Sequence, residues 1–177
     1  MSRKQKREMV QFFREELMTP TWMRALSTRD LDVTFSIRPD HQWTGAYCAW
    51  PSLALSGLFV AGETDLAFEW VKGLAKSTMQ GPIAQAHFTE AFHPPEANGG
   101  AIKTPSDPPY INDWACVSAC AYLEPVVENI FGVSPGLFGR IEARPNFGRF
   151  DPRAELRNLR YQGKTYTATA RGLQAAG

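Results

Sequence analysis

The sequence predicts a mainly α fold of about four helices followed by a short β unit. Three observations support this prediction. Apolar residues recur at helical spacing in the first 135 residues, only three residues join two of the helical segments, and the pattern after Gly136 changes to that of short strands. We therefore divide the 177-residue chain into a helical part, 1–135, and a β part, 136–177.

The first helix is predicted at residues 4–18. Met9, Phe13 and Leu17 follow one another at intervals of four residues, and charged residues fill most of the other positions. This spacing is typical of an amphipathic helix, and Thr19-Pro20 is a suitable end for it.

A long loop and an apolar helix follow. Residues 19–42 are rich in Pro, Asp, Ser and Thr, which predicts an ordered loop with a short helix around residues 22–26. The second helix is predicted at residues 46–61, where Pro51 fits only in the first turn and Ala61-Gly62 provides the stop. Because apolar residues occupy nearly every side of this helix, we expect it, including Trp50, to be buried nearly all round.

The third helix is predicted at residues 65–76, with Thr64 as its cap. Leu66, Trp70 and Leu74 line one of its faces. Since so few residues separate this helix from the second, the two are expected to form an antiparallel hairpin.

The fourth helix comes after a stretch rich in proline and glycine. Residues 77–112 contain six prolines and three glycines, which predicts a loop packed over a site. The helix is predicted at about residues 113–131, with a stop at Phe131-Gly132 and a kink at Pro125.

The strand pattern is clearest near the end of the chain. There the sequence predicts a hairpin around Gln162-Gly163, in which a two-residue turn places Leu159 opposite Tyr166. A further strand is predicted at residues 137–143.

Composition argues against several classes of partner. A formal net charge of +1 gives no overall field that would attract nucleic acid or an anionic membrane. No apolar run approaches the roughly 20 residues of a membrane span, and residues 1–20 lack the apolar core of a signal peptide. We therefore predict a cytoplasmic protein with neither a nucleic acid nor a membrane as partner.

The sequence predicts no metal and no cofactor. The three histidines show no paired spacing, and Asn98-Gly99-Gly100 lacks the Lys-Ser/Thr that follows a phosphate-binding loop. Cys116 and Cys120 are four residues apart and could hold part of a metal site, but the small residues around them favour buried structural thiols.

Several motifs between residues 40 and 67 resemble a run near the end of the six-hairpin, (α/α)6-toroid glycosidases, in particular the trehalase and processing α-glucosidase branch. They are Trp43-x-Gly45, Trp50-Pro51, Leu55-x-Gly57-Leu58, Gly62 and Leu66-Ala67. Four residues separate Gly45 from Trp50, more than in the usual pattern.

Later segments extend the resemblance in the same order, so that it covers about residues 40–170. In those glycosidases a Glu beside an aromatic residue, a polar turn and an aromatic-rich helix start follow one another. Here the corresponding segments are Phe88-Thr89-Glu90-Ala91-Phe92, His93 to Gly100 and Tyr110 to Trp114. The tail from Arg140 onward is similar to the β segment that follows the toroid.

The resemblance implies a partial (α/α)6 toroid, with about four of its twelve helices, followed by a β appendage. It implies that Glu90 is the general base, while the general acid is an Asp outside this chain. The expected function is the C-terminal portion of a glycoside hydrolase that cleaves an oligosaccharide and is inactive alone. Its expected partners are the carbohydrate and either the missing N-terminal part of the toroid or a second copy.

Other residues are candidates for substrate binding. A carboxylate accepts hydroxyl hydrogens and an indole stacks on a sugar ring, which suits Asp40, His41 and Trp43, although these residues could equally form a turn that caps the next helix. Glu90 itself could be a solvated loop residue. The remaining candidates are Gln85, His87, Phe92 and Trp114.

Two alternatives to a hydrolase stay open. The same aromatic loop could belong to a non-catalytic carbohydrate-binding or assembly module, in which the missing helices are not required. A toroid-shaped protein could also be a lyase, an epimerase or a phosphorylase, because a fold does not determine a reaction.

Overall fold

The computed structural model describes residues 1–24, 27, 29, 46–47, 49–78, 91–92 and 122–175. The chain forms two compact units, Met1–Ala121 and Tyr122–Gly177. The predicted division after residue 135 rests on element type and stays a prediction.

The helical elements are α1 (Arg3–Phe12), a π-helical segment (Phe13–Leu17), α2 (Ala49–Ala61), α3 (Thr64–Thr78), a second π-helical segment (Pro125–Ile130) and a 3-10 turn (Leu137–Gly139). The strands are β1 (Ala46–Tyr47), β2 (Ala91–Phe92), β3 (Val133–Pro135), β4 (Ile141–Ala143), β5 (Glu155–Tyr161), β6 (Lys164–Thr169) and β7 (Gly172–Ala175).

Helix α1 begins with a capping box formed by Ser2 and Gln5. The Gln5 N–H donates to Ser2 Oγ at 3.2 Å, and the Ser2 N–H donates to Gln5 Oε1 at 2.8 Å. At Phe13 the helix widens into the π-helical segment, where the Met18 N–H donates to the Phe13 carbonyl, five residues back, at 2.8 Å. The predicted helix at 4–18 is confirmed in position, with a wider last turn.

Residues 18–24 form a tight loop after the π-helical segment. Met18 and Met23 make an antiparallel bridge. The Thr19 N–H donates to the Trp22 carbonyl, and the Trp22 N–H donates to Thr19 Oγ1, both at 2.9 Å. The short helix predicted around residues 22–26 is therefore wrong for residues 22–24, because the Thr19 side chain closes a turn there.

The connection between α2 and α3 ends one helix and starts the next within two residues. Gly62 has a φ of +80°, and its N–H donates to the Phe59 carbonyl at 2.9 Å. The Glu63 N–H donates to the Leu58 carbonyl at the same distance, which completes a Schellman motif. Both the predicted stop at Gly62 and the helical hairpin are confirmed.

The core of the first unit is formed by the loop 18–24, α2 and α3. The rings of Phe59 and Phe68 meet edge to face across the hairpin, with centroids 5.4 Å apart. Pro51 lies buried in the first turn of α2, as the sequence predicts. The other buried residues of this core include Trp22, Leu55, Leu58, Ala67, Trp70 and Leu74.

Helix α2 is exposed along one side, so the prediction that it is buried nearly all round is wrong. Trp50, Leu53 and Val60 are 39%, 61% and 81% exposed, and Gly57 is exposed between them. Their intervals of three, four and three residues place them in one stripe. Hydropathy identifies an apolar helix but does not reveal how many neighbours pack against it, which is why Trp50 was wrongly assigned to the core.

Strands β1 and β2 pair antiparallel, with Ala46 opposite Phe92 and Tyr47 opposite Ala91. The strands contain two residues each, too few for an alternating pattern to mark them in the sequence. The pairing nevertheless joins two segments that are more than 40 residues apart in the chain.

The second unit begins with a helical turn that changes form at Pro125. Pro125 is the first residue of the π-helical segment, in which the Phe131 N–H donates to the Val126 carbonyl at 2.9 Å. The segment ends at Gly132, which has a φ of +66°, so the predicted stop at Phe131-Gly132 is confirmed. At Pro125, where the sequence predicts a kink, the helix changes to the wider π-helical form.

A short hairpin of β3 and β4 follows. The Arg144 N–H donates to the Gly132 carbonyl at 2.9 Å, and a Cβ atom on Gly132 would overlap the Arg144 backbone. The rings of Phe131 and Phe147 have centroids 4.5 Å apart, and both residues are buried. These contacts, with Val133, form a small core within this unit.

The three-stranded sheet has the order β5-β6-β7, and all its strands are antiparallel. Gln162 and Gly163 have φ values of +45° and +76°, as a type I′ hairpin turn requires. Leu159 lies opposite Tyr166, which confirms the predicted register. The strand predicted at 137–143 is shorter, because residues 137–139 form the 3-10 turn.

The prediction of a mainly α, partial (α/α)6 toroid with a short β unit is wrong as a fold class. The described residues combine helices with small antiparallel sheets, in both units, and form a mixed α/β protein. The sequence did not reveal this balance because four of the strands contain only two or three residues.

Candidate functional site

Most of the predicted site residues lie outside the described part of the chain. These are Glu90 and the predicted substrate-binding residues Asp40, His41, Trp43, Gln85, His87 and Trp114. Phe92 is the exception, because its backbone is described as the second residue of β2, opposite Ala46.

The β1–β2 pairing is the structural feature nearest to those residues in sequence. Ala91, the first residue of β2, directly follows Glu90, and Ala46, the first residue of β1, comes three residues after Trp43. Paired strands lie about 5 Å apart, so the two segments that carry predicted site residues meet at this pairing. Sequence reasoning assigned both segments to one site without identifying the contact between them.

A second polar cluster lies in the described residues and surrounds Glu16. This carboxylate belongs to the first π-helical segment and its side chain is only 10% exposed. Arg29 Nε donates to Glu16 Oε1 and Ser27 Oγ donates to Glu16 Oε2, each at 2.8 Å. Arg24 Nη1 also donates to the Glu16 backbone carbonyl, at 3.3 Å.

The Glu16 cluster was not predicted, although one signal was present. Position 16 lies three residues after Phe13 and seven after Met9, so at helical spacing it falls on the apolar face that these residues mark. A Glu on an apolar face needs a partner, because a buried charge is costly unless it is paired and hydrogen-bonded. Both carboxylate oxygens are occupied by donors, which suits an anchor for Ser27 and Arg29 better than a proton-transfer group.

Trp70 and Gly73 of α3 contact the loop 18–24 beside this cluster. Trp70 Nε1 donates to the Thr19 carbonyl at 2.9 Å, and the Trp70 and Phe13 rings meet edge to face with centroids 5.1 Å apart. Pro20 packs so closely on Gly73 that a Cβ atom at position 73 would overlap the Pro20 carbonyl oxygen. The first residues of the loop, Thr19 and Pro20, are therefore held in place by contacts with α3.

A groove of about 520 Å³ lies where this loop meets α3. Its lining includes Arg14, Lys72 and Lys76 together with the carboxylate of Glu69. All four side chains are exposed, and the balance of charge is positive. The groove can attract an anion, but its charged groups remain in water, where each contributes little binding energy.

In the described residues, no group of three or more His, Cys, Asp or Glu side chains is arranged to hold a metal ion. Among the helices of the described segments, none combines the length and apolar character that a bilayer crossing requires.

Comparison of the chain with protein-family models, with curated protein sequences and with solved structures yields no match.

Proposed function

We propose that the chain is the base-bearing portion of an enzyme that cleaves glycosidic bonds by acid/base catalysis. Glu90 acts as the general base, and Asp40, His41 and Trp43 contact the sugar. The general acid comes from a polypeptide segment outside this chain, so the chain alone does not turn over ordinary glycosides. The carbohydrate is its substrate and the cytoplasm its location.

The observation that carries this proposal is the antiparallel pairing of β1 with β2. Consecutive Cα atoms are about 3.8 Å apart, so connectivity keeps the Glu90 backbone close to Ala91, and that of Trp43 within about three such steps of Ala46. The pairing of these strands supports one shared site for two segments that are distant in sequence. It does so without reference to the overall fold class.

The proposed chemistry balances as an ordinary hydrolysis. The Glu90 carboxylate accepts a proton from a water molecule while the water oxygen forms a bond to the anomeric carbon. The bond from that carbon to the leaving oxygen breaks, and the absent acid donates the proton that this oxygen needs. Phe88 and Phe92, two residues on either side of Glu90, are suited to limit the access of bulk water.

Glycosyl fluorides test the proposal with this chain alone, because fluoride leaves without a proton and the acid is not needed. We expect the purified chain to release fluoride from at least one member of a panel of α-glycosyl fluorides above the uncatalysed rate. We expect Glu90→Gln to lower this rate by about 10²-fold or more, since general base catalysis contributes that much.

The matched control is Glu124→Gln, which makes the same chemical change at an exposed carboxylate in the second unit. It should leave fluoride release unchanged. Equal rates in the Glu90→Gln variant and the unmodified chain would contradict the proposal. Sugar binding that requires Trp43, with no fluoride release from any substrate, would instead support the binding-module alternative.

A further inference from the structure

The first unit exposes an apolar surface along α1 and α2. Leu53 and Val60 project from α2 at 61% and 81% exposure, and Met9 and Phe12 project from α1 at 61% and 43%. Gly57 lies between the two α2 residues and is also exposed. We call this surface the α1–α2 face. Large apolar side chains exposed together in this way are typical of an interaction site.

A groove of about 210 Å³ runs between the two helices of the α1–α2 face. Met9 lines it from α1, Phe13 from the start of the π-helical segment, and Ala54, Gly57 and Ala61 from α2. A Cβ atom built on Gly57 meets no atom within 4 Å, so this glycine opens space for a side chain from outside. The surface is therefore concave and apolar, as in grooves that receive one face of a helix.

Helix α1, which forms one wall of the groove, is positively charged. Helix α1 carries four cationic side chains and one carboxylate, a net charge of +3, whereas α2 has no charged residue. Lys6 lines the groove itself. In the described part of the chain, Arg3, Lys6 and Arg7 have no ion pair, since the carboxylate of α1 pairs with Lys4. These cations remain available to a partner.

We propose that the α1–α2 face binds an amphipathic helix of a partner protein, with acidic residues flanking its apolar stripe. The apolar stripe would fill the groove over Gly57, and the acidic residues would meet Arg3 and Lys6. This inference does not depend on the proposed function, because it uses only the first unit's described residues.

Charge and shape select this occupant over the others that an apolar face could receive. A second copy using the same face would bring together two α1 helices of net charge +3, and like charges oppose such contact. An anionic membrane would complement the charge but not the concave shape, since the groove lies between helices and receives side chains. An acidic helix satisfies both requirements.

A pair of synthetic helical peptides tests the proposal directly. Both carry Leu at positions i, i+3 and i+7, with Glu at the flanking positions in one peptide and Lys in the other. Fluorescence anisotropy with labelled peptides measures their binding to the full chain. We expect the acidic peptide to bind at least about tenfold more tightly, as two or three ion pairs at the rim would produce.

Two variants locate the binding. Gly57→Leu fills the groove without disturbing the fold, because the site is open and a helix favours Leu over Gly. It should weaken binding of the acidic peptide by about tenfold or more. The double variant Arg3→Glu/Lys6→Glu should reverse the preference between the peptides, and acidic residues in the first turn of α1 preserve the helix.

The matched control reverses two exposed charges elsewhere, Arg160→Glu/Arg171→Glu in the second unit, and should not change binding. Equal affinity for both peptides, or binding of neither, would overturn the proposal. Self-association of the chain in sedimentation would also overturn it, if Gly57→Leu abolished the association and neither peptide bound. The last test uses vesicles of one part phosphatidylserine and three parts phosphatidylcholine. If the chain bound these vesicles, Gly57→Leu did not weaken that binding and neither peptide bound, a membrane would replace the helix as the partner.

Discussion

The contacts that stabilise the helical region of the first unit join residues far apart in the chain. Those that stabilise the three-stranded sheet of the second unit join neighbouring segments. In the first, the hydrogen bond from Trp70 to Thr19 joins residues 51 positions apart, and both tryptophans of that core are fully buried. In the second, β5, β6 and β7 follow one another through short turns, and only Ala168 of these strands is buried. The comparison teaches that burial supplies most of the stability of the first region, while turn geometry and local pairing hold the second.

The largest expected effect comes from removing Trp70. Trp70→Ala should lower the free energy of unfolding by about 3–5 kcal/mol, because it leaves a cavity and removes the bond to Thr19. Urea denaturation followed by circular dichroism measures the change. Phe138→Ala is the control in the second unit, where the ring is fully exposed, and should change stability by less than about 0.5 kcal/mol. Similar losses in the two variants would remove the difference between the regions.

Two glycines of the first unit sharpen the comparison, since both lie in helices but only one is in close contact. Gly73→Ala should cost about 2 kcal/mol, because the new Cβ atom overlaps the Pro20 carbonyl and the loop must move. Gly57→Ala should gain about 0.5–1 kcal/mol from helix propensity, since nothing lies near that position. Thermal denaturation of both variants checks the opposite signs. Stabilisation by Gly73→Ala would mean that the loop does not pack on α3 as described.

The Glu16 cluster tests whether polar contacts also contribute to the first region. Glu16→Gln should lower the free energy of unfolding by about 1.5 kcal/mol. The change replaces a buried carboxylate that accepts one hydrogen bond from the Arg29 guanidinium and one from the Ser27 hydroxyl. Arg29→Ala should cost about 2 kcal/mol or more, because it removes a cation from a Glu16 carboxylate that is only 10% exposed. Chemical denaturation of the two variants measures both values. A clearly smaller loss in Arg29→Ala than in Glu16→Gln would contradict this ranking.

The smallest expected effect is in the hairpin turn of the second unit. Gln162 has a φ of +45°, where Asn is favoured over Gln, so Gln162→Asn should gain about 0.5 kcal/mol. Gln162→Val, with a branched side chain at the same angle, should lose about 1 kcal/mol. Thermal denaturation of the two variants measures both changes in the stability of the second unit. If the two variants had the same stability, turn geometry would not limit this region.

The same contrast explains how much of the fold the sequence could predict. The ends of α2 at Gly62 and of the second π-helical segment at Gly132 were predicted, since a glycine at a helix end is a local signal. The register of Leu159 opposite Tyr166 follows from the two-residue turn alone. These features depend only on neighbouring residues, and the sequence predicted them correctly.

Features that depend on distant partners were not predicted correctly. The exposed stripe through Leu53 and Val60 looked like core, because apolar character does not show whether a neighbour is present. The β1–β2 pairing and the bonds of Ser27 and Arg29 to Glu16 join residues that are more than ten positions apart in the chain. These contacts have no periodic pattern in the sequence, and the fold class was misjudged for the same reason.

The predicted catalytic site rests on residues that the structure does not describe. Glu90 and Trp43 lie outside the described residues, so their roles stay predictions based on the family resemblance and on chemistry. The strands beside them provide the physical link between the two segments. Disrupting that link therefore tests the function without changing a proposed catalytic group.

Fluoride release by a strand-breaking variant is the most direct measurement of this link. Ala46→Pro removes a backbone donor from β1 and is poorly tolerated in a strand, whereas Ala46→Val fits a strand well. We expect Ala46→Pro to lose glycosyl fluoride hydrolysis as completely as Glu90→Gln, and Ala46→Val to retain it. Hydrolysis that survives in Ala46→Pro, while Glu90→Gln abolishes it, would contradict the claim that the β1–β2 pairing builds the site.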